Sequence, residues 1–264
     1  MCPIPPTPYL IRFFRCLRLA LHLAWLGFGA AIIYRCVSPQ QKLRLKQRWS
    51  RQLLSILAIR LDTEAPQPPP GCLIVANHIS WLDIFAINAL RPAAFIAKSE
   101  VRRWPFIGWL VARNDTVFLH RGSRQHAREI NVEIGALLNA GRDVAIFPEG
   151  RTSNGTQLLE FHPALIQPAI ETARPILPMA ISYHDASGQR SLAPSFADPI
   201  SLPECFAAIL ACPSLTARLI PLSEIATDNI SRRAAAHSAY QAIATCLGFP
   251  PARTAPEIRN DPPA

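Results

Sequence analysis

The stretch Leu73-Ile74-Val75-Ala76-Asn77-His78-Ile79-Ser80-Trp81-Leu82-Asp83 decides how this 264-residue chain is read. Four apolar residues form a strand-like run, and an imidazole and a carboxylate follow, five positions apart. In a regular helix that offset leaves two side chains about 140° apart around the axis. They meet only if His78 lies in the turn after a strand and Asp83 in the first turns of the next helix. Asp83 then holds one ring nitrogen, and the other is left as a proton acceptor able to deprotonate an alcohol near neutral pH. A capping histidine and a first-turn aspartate also suit a helix N-terminus, so the pair gains its meaning from its surroundings.

Beyond this stretch, strand-like and helix-like segments alternate, which predicts an α/β fold with a mostly parallel or mixed sheet flanked by helices. Strands are expected over 72–76, 94–97, 117–119, 144–147 and 176–182, with further β segments at 195–200 and 217–221. Helices are expected at 81–90, 123–140, 161–172 and 229–246. In such sheets ligands bind beyond the carboxyl ends of strands. His78 follows one strand and Phe147-Pro148-Glu149-Gly150-Arg151-Thr152-Ser153 follows another, so one cleft can hold both. Pro148 ends a ladder and Gly150 permits a positive φ, as a tight turn there needs.

Four segments in order carry a resemblance: Asn77-His78 with Asp83; Asp115-Thr116-Val117-Phe118-Leu119-His120-Arg121; Phe147 to Ser153; and Arg174-Pro175-Ile176-Leu177-Pro178-Met179. Together they resemble the glycerolipid acyltransferases of the lysophosphatidate (1-acylglycerol-3-phosphate) acyltransferase family, whose blocks read NHxxxxD, GxxFIxR, FPEGTRS and VPIVPV. The likeness covers residues 48–222. Lys98-Ser99-Glu100 and Trp104-Pro105-Phe106-Ile107-Gly108-Trp109 also look like the family's segment between its first two blocks. Two departures stand out, Asp115 in place of glycine and Arg151-Thr152 in inverted order.

The resemblance implies direct transfer of an acyl group from acyl-CoA or acyl carrier protein to the free hydroxyl of 1-acylglycerol-3-phosphate, forming phosphatidic acid. His78 would be the general base and Asp83 its partner. Asn77, Arg121, Glu149, Gly150, Arg151 and Thr152 would position the acceptor. The thioester is a co-substrate, and neither a metal nor another cofactor is implied. An enzyme of the same fold acting on lyso-ornithine lipid is the nearest alternative, because both departures loosen the case for a phosphate-bearing acceptor. A non-catalytic lipid-binding protein would have no chemical need for the intact His78 and Asp83. A serine nucleophile would call for a GxSxG elbow, which Ser80 lacks.

Composition agrees with a lipid substrate. Half of the residues are hydrophobic, enough for one sizeable core, and a net charge of +9 with pI near 9.7 calls for an anionic partner. Membrane lipid suits better than nucleic acid, since there is no RNP-type motif, zinc-ligand spacing or dense Lys/Arg run. Seven scattered cysteines with no CxxC fit a reducing compartment, and nothing in the sequence bears on oligomeric state.

Residues 1–62 read as membrane-associated helices. The run 19–34 is apolar but for His22, with Arg12, Arg15 and Arg18 before it and Arg35 after. A tilted span, half of a re-entrant hairpin, a signal peptide and a buried core helix all fit its length. The flanking arginines favour a catalytic domain on the cytoplasmic side of a bacterial inner membrane. Over 40–59 a basic amphipathic helix carries Leu45, Trp49, Leu53, Ile56 and Leu57 on one face and Arg44, Arg48 and Arg51 opposite, which suits a membrane interface or a packed helix. Residues 63–71 form a proline-rich linker, 72–249 the catalytic domain and 250–264 a disordered tail.

Overall fold

The computed structural model describes residues 5–63, 70–99, 102, 107–113, 116–119 and 124–250. The chain opens with α1 (Tyr9–Phe28), a π-helical turn (Gly29–Ile33), α2 (Tyr34–Cys36) and α3 (Pro39–Ile56). There follow β1 (Ile59–Asp62), β2 (Leu73–Ala76), α4 (Leu82–Leu90), β3 (Ala94–Lys98), α5 (Ile107–Ala112), β4 (Thr116–Leu119), α6 (Arg124–Asn139) and β5 (Val144–Ile146). A 3-10 turn (Pro163–Ile166) runs into α7 (Gln167–Glu171), and β6 (Ile176–Asp185), α8 (Leu202–Ala211), β7 (Leu215–Pro221) and α9 (Arg232–Leu247) complete the fold. The seven strands lie in the order β1-β7-β6-β2-β5-β3-β4. The block from β6 to β4 is parallel, β7 runs antiparallel to β6, and β1 is parallel to β7.

Strand β2 sits at the centre because both of its faces are apolar. Ile74 and Ala76 point into the cluster shared with α4 and α8, while Leu73 and Val75 point into the cluster shared with α6 and α9. All four are fully buried, and each of the larger ones contributes roughly 2 kcal/mol by leaving water. Serine caps set where three helices begin. Ser38 with Gln41 and Ser201 with Glu204 form capping boxes at α3 and α8, and Ser231 accepts from Ala234 N at α9.

The edge of the sheet corrects the sequence reading. The helix expected over 40–59 ends at Ile56, and Ala58 turns the chain at φ 56° into β1, which pairs with β7. Ile59-Arg60-Leu61-Asp62 alternates apolar and polar residues as a strand does, so residues 1–62 do not consist of helices alone. Nor is α3 a free-standing element. Its Arg51 Nε donates to Ala89 O (2.8 Å), its Gln47 Nε2 to Leu90 O (2.9 Å) and its Lys46 Nζ to Ala93 O (2.7 Å). Two cations and an amide thus meet the carbonyls at the negative end of α4 and just beyond it.

The β segment expected at 195–200 is a looped run instead, with turns closed by Ser195 N to Leu192 O and Ile200 N to Ala197 O. Pro194 and Pro199 withhold the donors that a ladder needs. Helices α5 and α8 were not anticipated, and the helix expected over 161–172 is split into the 3-10 turn and α7. Most of the linker and the tail beyond 250 lie outside the described residues.

At the amino ends of the central strands, Asp143 holds three segments together. Its Oδ1 accepts from Gly71 N (2.8 Å), Cys72 N (3.1 Å) and Arg91 Nη2 (2.8 Å), and its Oδ2 accepts from Arg91 Nε (2.6 Å). Both side chains of this ion pair are over 90% buried. Replacing Asp143 with Ala would strand the Arg91 charge and is expected to cost about 3–5 kcal/mol in chemical denaturation. Asp62→Ala, which breaks the half-exposed pair with Arg218 (3.0 Å), should cost less than about 1 kcal/mol in the same assay.

Candidate active site

The turn after β2 carries His78, and the start of α4 carries Asp83, as their spacing requires. His78 Nδ1 lies 2.8 Å from Asp83 Oδ2. The same oxygen accepts from Ile79 N (2.7 Å) and Ser80 N (2.9 Å), so the carboxylate closes the turn and begins the helix in one step. Its other oxygen accepts from the Tyr183 hydroxyl (2.7 Å), which comes from β6. Asp83 is wholly buried, and a carboxylate only accepts; Nδ1 must therefore carry the proton in this contact. Burial, and then the neighbouring Asp83 charge, push the Tyr183 phenol well above its usual range, so it stays a donor.

The His78 ring is 19% exposed. It stacks on Phe147, with centroids 3.9 Å apart and planes 9° apart, and Phe147 packs in turn on Phe95. Ring plane and tautomer are thus set by two different contacts. Nε2 makes no hydrogen bond to any described residue and, with the proton on Nδ1, keeps its lone pair.

The loop after β5 is bonded to the His78 turn on both sides of Arg151. Glu149 Oε1 accepts from His78 N (2.7 Å), and Ser153 N donates to His78 O (2.7 Å). Glu149 Oε2 also accepts from Leu159 N (3.0 Å). The glutamate is therefore a clamp on the main chain that carries the imidazole. Gly150 makes the turn between them at φ 69°, with its N–H donating to Phe147 O. The Thr152 hydroxyl donates to Phe196 O in the 195–200 loop, and the Phe196 N–H donates to Ile79 O. Arg151 is exposed at the tip of this bonded loop.

Asn77 is committed elsewhere. Its Nδ2 donates to Ile181 O (3.0 Å) and its Oδ1 accepts from Ile181 N (2.7 Å), so the buried carboxamide extends the pairing of β2 with β6. Arg121, and with it Asp115, Trp104 and Phe106, lies outside the described residues. Tyr183 and the stacking role of Phe147 were not foreseen. The signal available for Tyr183 was the period of two along β6, since Leu177, Met179, Ile181 and Tyr183 all join the cluster that contains α4.

Burial raises the Glu149 carboxyl from an ordinary 4.5 to about 7, although the His78 and Leu159 N–H groups pull it back. A raised folded value means that its stabilising contribution is complete below about 4.5 and is lost as pH climbs towards 7. Wild type is expected to lose roughly 3 kcal/mol of unfolding free energy from this group across that window. Glu149→Gln, which starts less stable, should lack that part of the slope when denaturation is followed between the two pH values.

A family model described as Acyltransferase matches residues 59–182, from β1 to one residue short of Tyr183. The chain is 41% identical over 183 residues to a 1-acyl-sn-glycerol-3-phosphate acyltransferase of Neisseria meningitidis serogroup B, covering 69% of this chain and 71% of that protein. It is 36% identical over 226 residues to a lyso-ornithine lipid O-acyltransferase of Pseudomonas aeruginosa, covering 85% and 86%. The crystal structure of the 1-acyl-sn-glycerophosphate (LPA) acyltransferase PlsC from Thermotoga maritima has the same fold, with a TM-score of 0.66 at 19% identity over 90% of this chain and 94% of that one. This chain is an O-acyltransferase and belongs to the glycerolipid acyltransferases with the H-x4-D motif, the family of the 1-acylglycerol-3-phosphate O-acyltransferases.

Proposed function

We propose that the protein moves a fatty acyl group from the thioester of acyl-CoA or acyl carrier protein to the free hydroxyl of 1-acylglycerol-3-phosphate, yielding phosphatidic acid and a free thiol. The observation that carries this reading is the His78 ring, held by Asp83 through Nδ1 and by Phe147 through its face, with Nε2 open. Nε2 takes the proton as the acceptor oxygen attacks the thioester carbonyl. The new C–O bond forms, the C–S bond breaks, and the thiolate leaves with the proton returned from Nε2. Asp83 stabilises the imidazolium in between and keeps its own charge. Arg151, on a loop anchored to the His78 main chain, is the described cation suited to the acceptor phosphate. Asn77 and Glu149 act by positioning this machinery, and Thr152 by holding the loop.

The membrane reading rests on α1. Tyr9–Cys36 is the one helix among the described residues that is long and apolar enough to cross a bilayer by length and composition. It is also attached to the domain along its length. Thr7 N donates to Ala211 O, Arg15 donates to Cys212 O and Pro213 O, His22 Nε2 lies 3.1 Å from Trp49 O, and Tyr34 stacks on Trp49. Tyr9, Phe13, Leu21 and Trp25 project from its other side. A helix fastened on one face and apolar on the other favours lying in one leaflet over crossing the bilayer. It would bring the site to a lipid substrate at the cytoplasmic surface of a bacterial inner membrane.

A second acceptor, lyso-ornithine lipid, is favoured by one observation at the site. The hydroxyl of Thr152, in the inverted Arg151-Thr152 pair, donates its proton to Phe196 O and so has none to give a phosphate. The Pseudomonas aeruginosa relative also aligns over more of the chain than the Neisseria one.

Membranes carrying wild type, His78→Ala or Tyr183→Phe, given labelled donor and a panel of lysolipids, decide among these. Wild type should acylate lysophosphatidate. His78→Ala should lose roughly a thousandfold in rate, and Tyr183→Phe, with one fewer donor on Asp83, roughly tenfold with KM unchanged. Product from lyso-ornithine lipid alone would change the acceptor, and no product from any lysolipid would overturn the reading.

A further inference from the structure

A groove of about 820 Å3 runs between α1 and α3. Two helical stripes line it, each spaced three or four residues apart. Arg18, His22 and Trp25 come from α1, and Arg44, Arg48 and Arg51 from α3. No carboxylate is among the lining residues. Residues 1–61 hold ten Lys and Arg and no Asp or Glu, which leaves 17 basic and 18 acidic side chains for residues 62–264. The whole net charge of this protein therefore resides in the segment that builds the groove.

Not all of that charge is available to a ligand. Arg51 is partly engaged with Ala89 O, and Arg12, Arg15 and Lys46 donate to main-chain carbonyls. Arg18, Arg44 and Arg48 are exposed and make no ion pair among the described residues. Three exposed guanidinium groups that line one groove, with no carboxylate among the lining residues, repel one another, and an anion bound there relieves that repulsion. Leu21 and Trp25 border the groove and continue into the exposed apolar face of α1. Arg44 and Arg48 are one helical turn apart on α3, about 6 Å along the axis, a spacing over which two long side chains can reach one phosphate.

We propose that the groove between α1 and α3 is a docking site for the headgroup of an anionic glycerophospholipid of the bilayer, separate from the catalytic cleft. The guanidinium groups of Arg18, Arg44 and Arg48 meet the phosphate, and the acyl chains lie along Leu21 and Trp25. The site sits at the far end of α4 from Asp83, since Gln47 and Arg51 reach the carbonyls at that helix's C-terminus. An acidic protein such as an acyl carrier is the competing occupant. The apolar border continuous with α1 favours lipid, because a soluble acidic partner has no need of it.

The test uses the full-length protein and phosphatidylcholine vesicles with or without phosphatidylglycerol, with binding read by co-sedimentation. Arg18→Gln/Arg44→Gln/Arg48→Gln should bind phosphatidylglycerol vesicles roughly 100-fold more weakly than wild type, at about 1 kcal/mol per cation near the surface. It should keep the wild-type rate on a short-chain, water-soluble lysolipid. A control with the same loss of charge, Arg128→Gln/Arg232→Gln/Arg233→Gln, should bind within about threefold of wild type. An equal loss in both variants would overturn the proposal in favour of diffuse charge. So would unchanged vesicle binding with a raised KM for acyl carrier protein alone, which would give the groove to a protein. Vesicle binding is read without turnover, so the result stands whichever acceptor the enzyme uses.

Discussion

A single buried carboxylate organises this enzyme. Asp83 is removed from water entirely, a state that costs several kcal/mol unless its lone pairs are filled. Four donors fill them: the imidazole of His78, the main-chain N–H groups of Ile79 and Ser80, and the hydroxyl of Tyr183. Each donor comes with a structural consequence. The two N–H groups make the residues after β2 turn and start α4, Tyr183 ties that turn to β6, and the imidazole is left with one orientation and one tautomer. The His78–Asp83 pair and the strand-turn-helix junction are thus parts of one hydrogen-bond network.

The rest of the site holds the His78 main chain still. The loop after β5 grips it from both sides through Glu149 and Ser153, and the 195–200 loop closes over through Phe196. At the other end of α4, side chains from α3 satisfy its last carbonyls. Helix α3 thus has two faces: Lys46, Gln47 and Arg51 reach the carbonyls at the end of α4 and just beyond it, while Arg44 and Arg48 are exposed. Within the N-terminal segment itself, Gly29 packs closely on α3. A Cβ there would lie 2.5 Å from the Trp49 ring, so the π-helical turn passes the indole only without a side chain.

Much of this was legible in the sequence where local chemistry is decisive. An apolar run on both faces places β2 at the centre of a sheet, and a five-residue His-to-Asp offset works only across a strand-to-helix turn. Pro148 and Gly150 mark the turn that brings Glu149 back. What escaped depended on partners remote in sequence. Tyr183 reads as a strand residue until β6 lies beside β2, 100 residues from Asp83. Asn77 reads as a binding residue until Ile181 takes both of its polar atoms. Arg51 reads as part of a basic amphipathic face until α4 presents its carbonyls. The strand expected at 195–200 does not form, because Pro199 within it and Pro194 just before it cannot donate to a ladder.

The central claim is that Asp83 fixes the proton of His78 on Nδ1 and leaves Nε2 as the base. The most direct measurement is the 15N NMR signature of the His78 ring in the full-length protein near neutral pH, compared with Asp83→Asn. Wild type should show a protonated Nδ1 with a hydrogen-bonded proton and an unprotonated Nε2, and Asp83→Asn should lose that preference. A proton on Nε2 in the neutral wild-type ring would contradict the account, because the nitrogen not bonded to Asp83 would then have no lone pair with which to take the acceptor's proton.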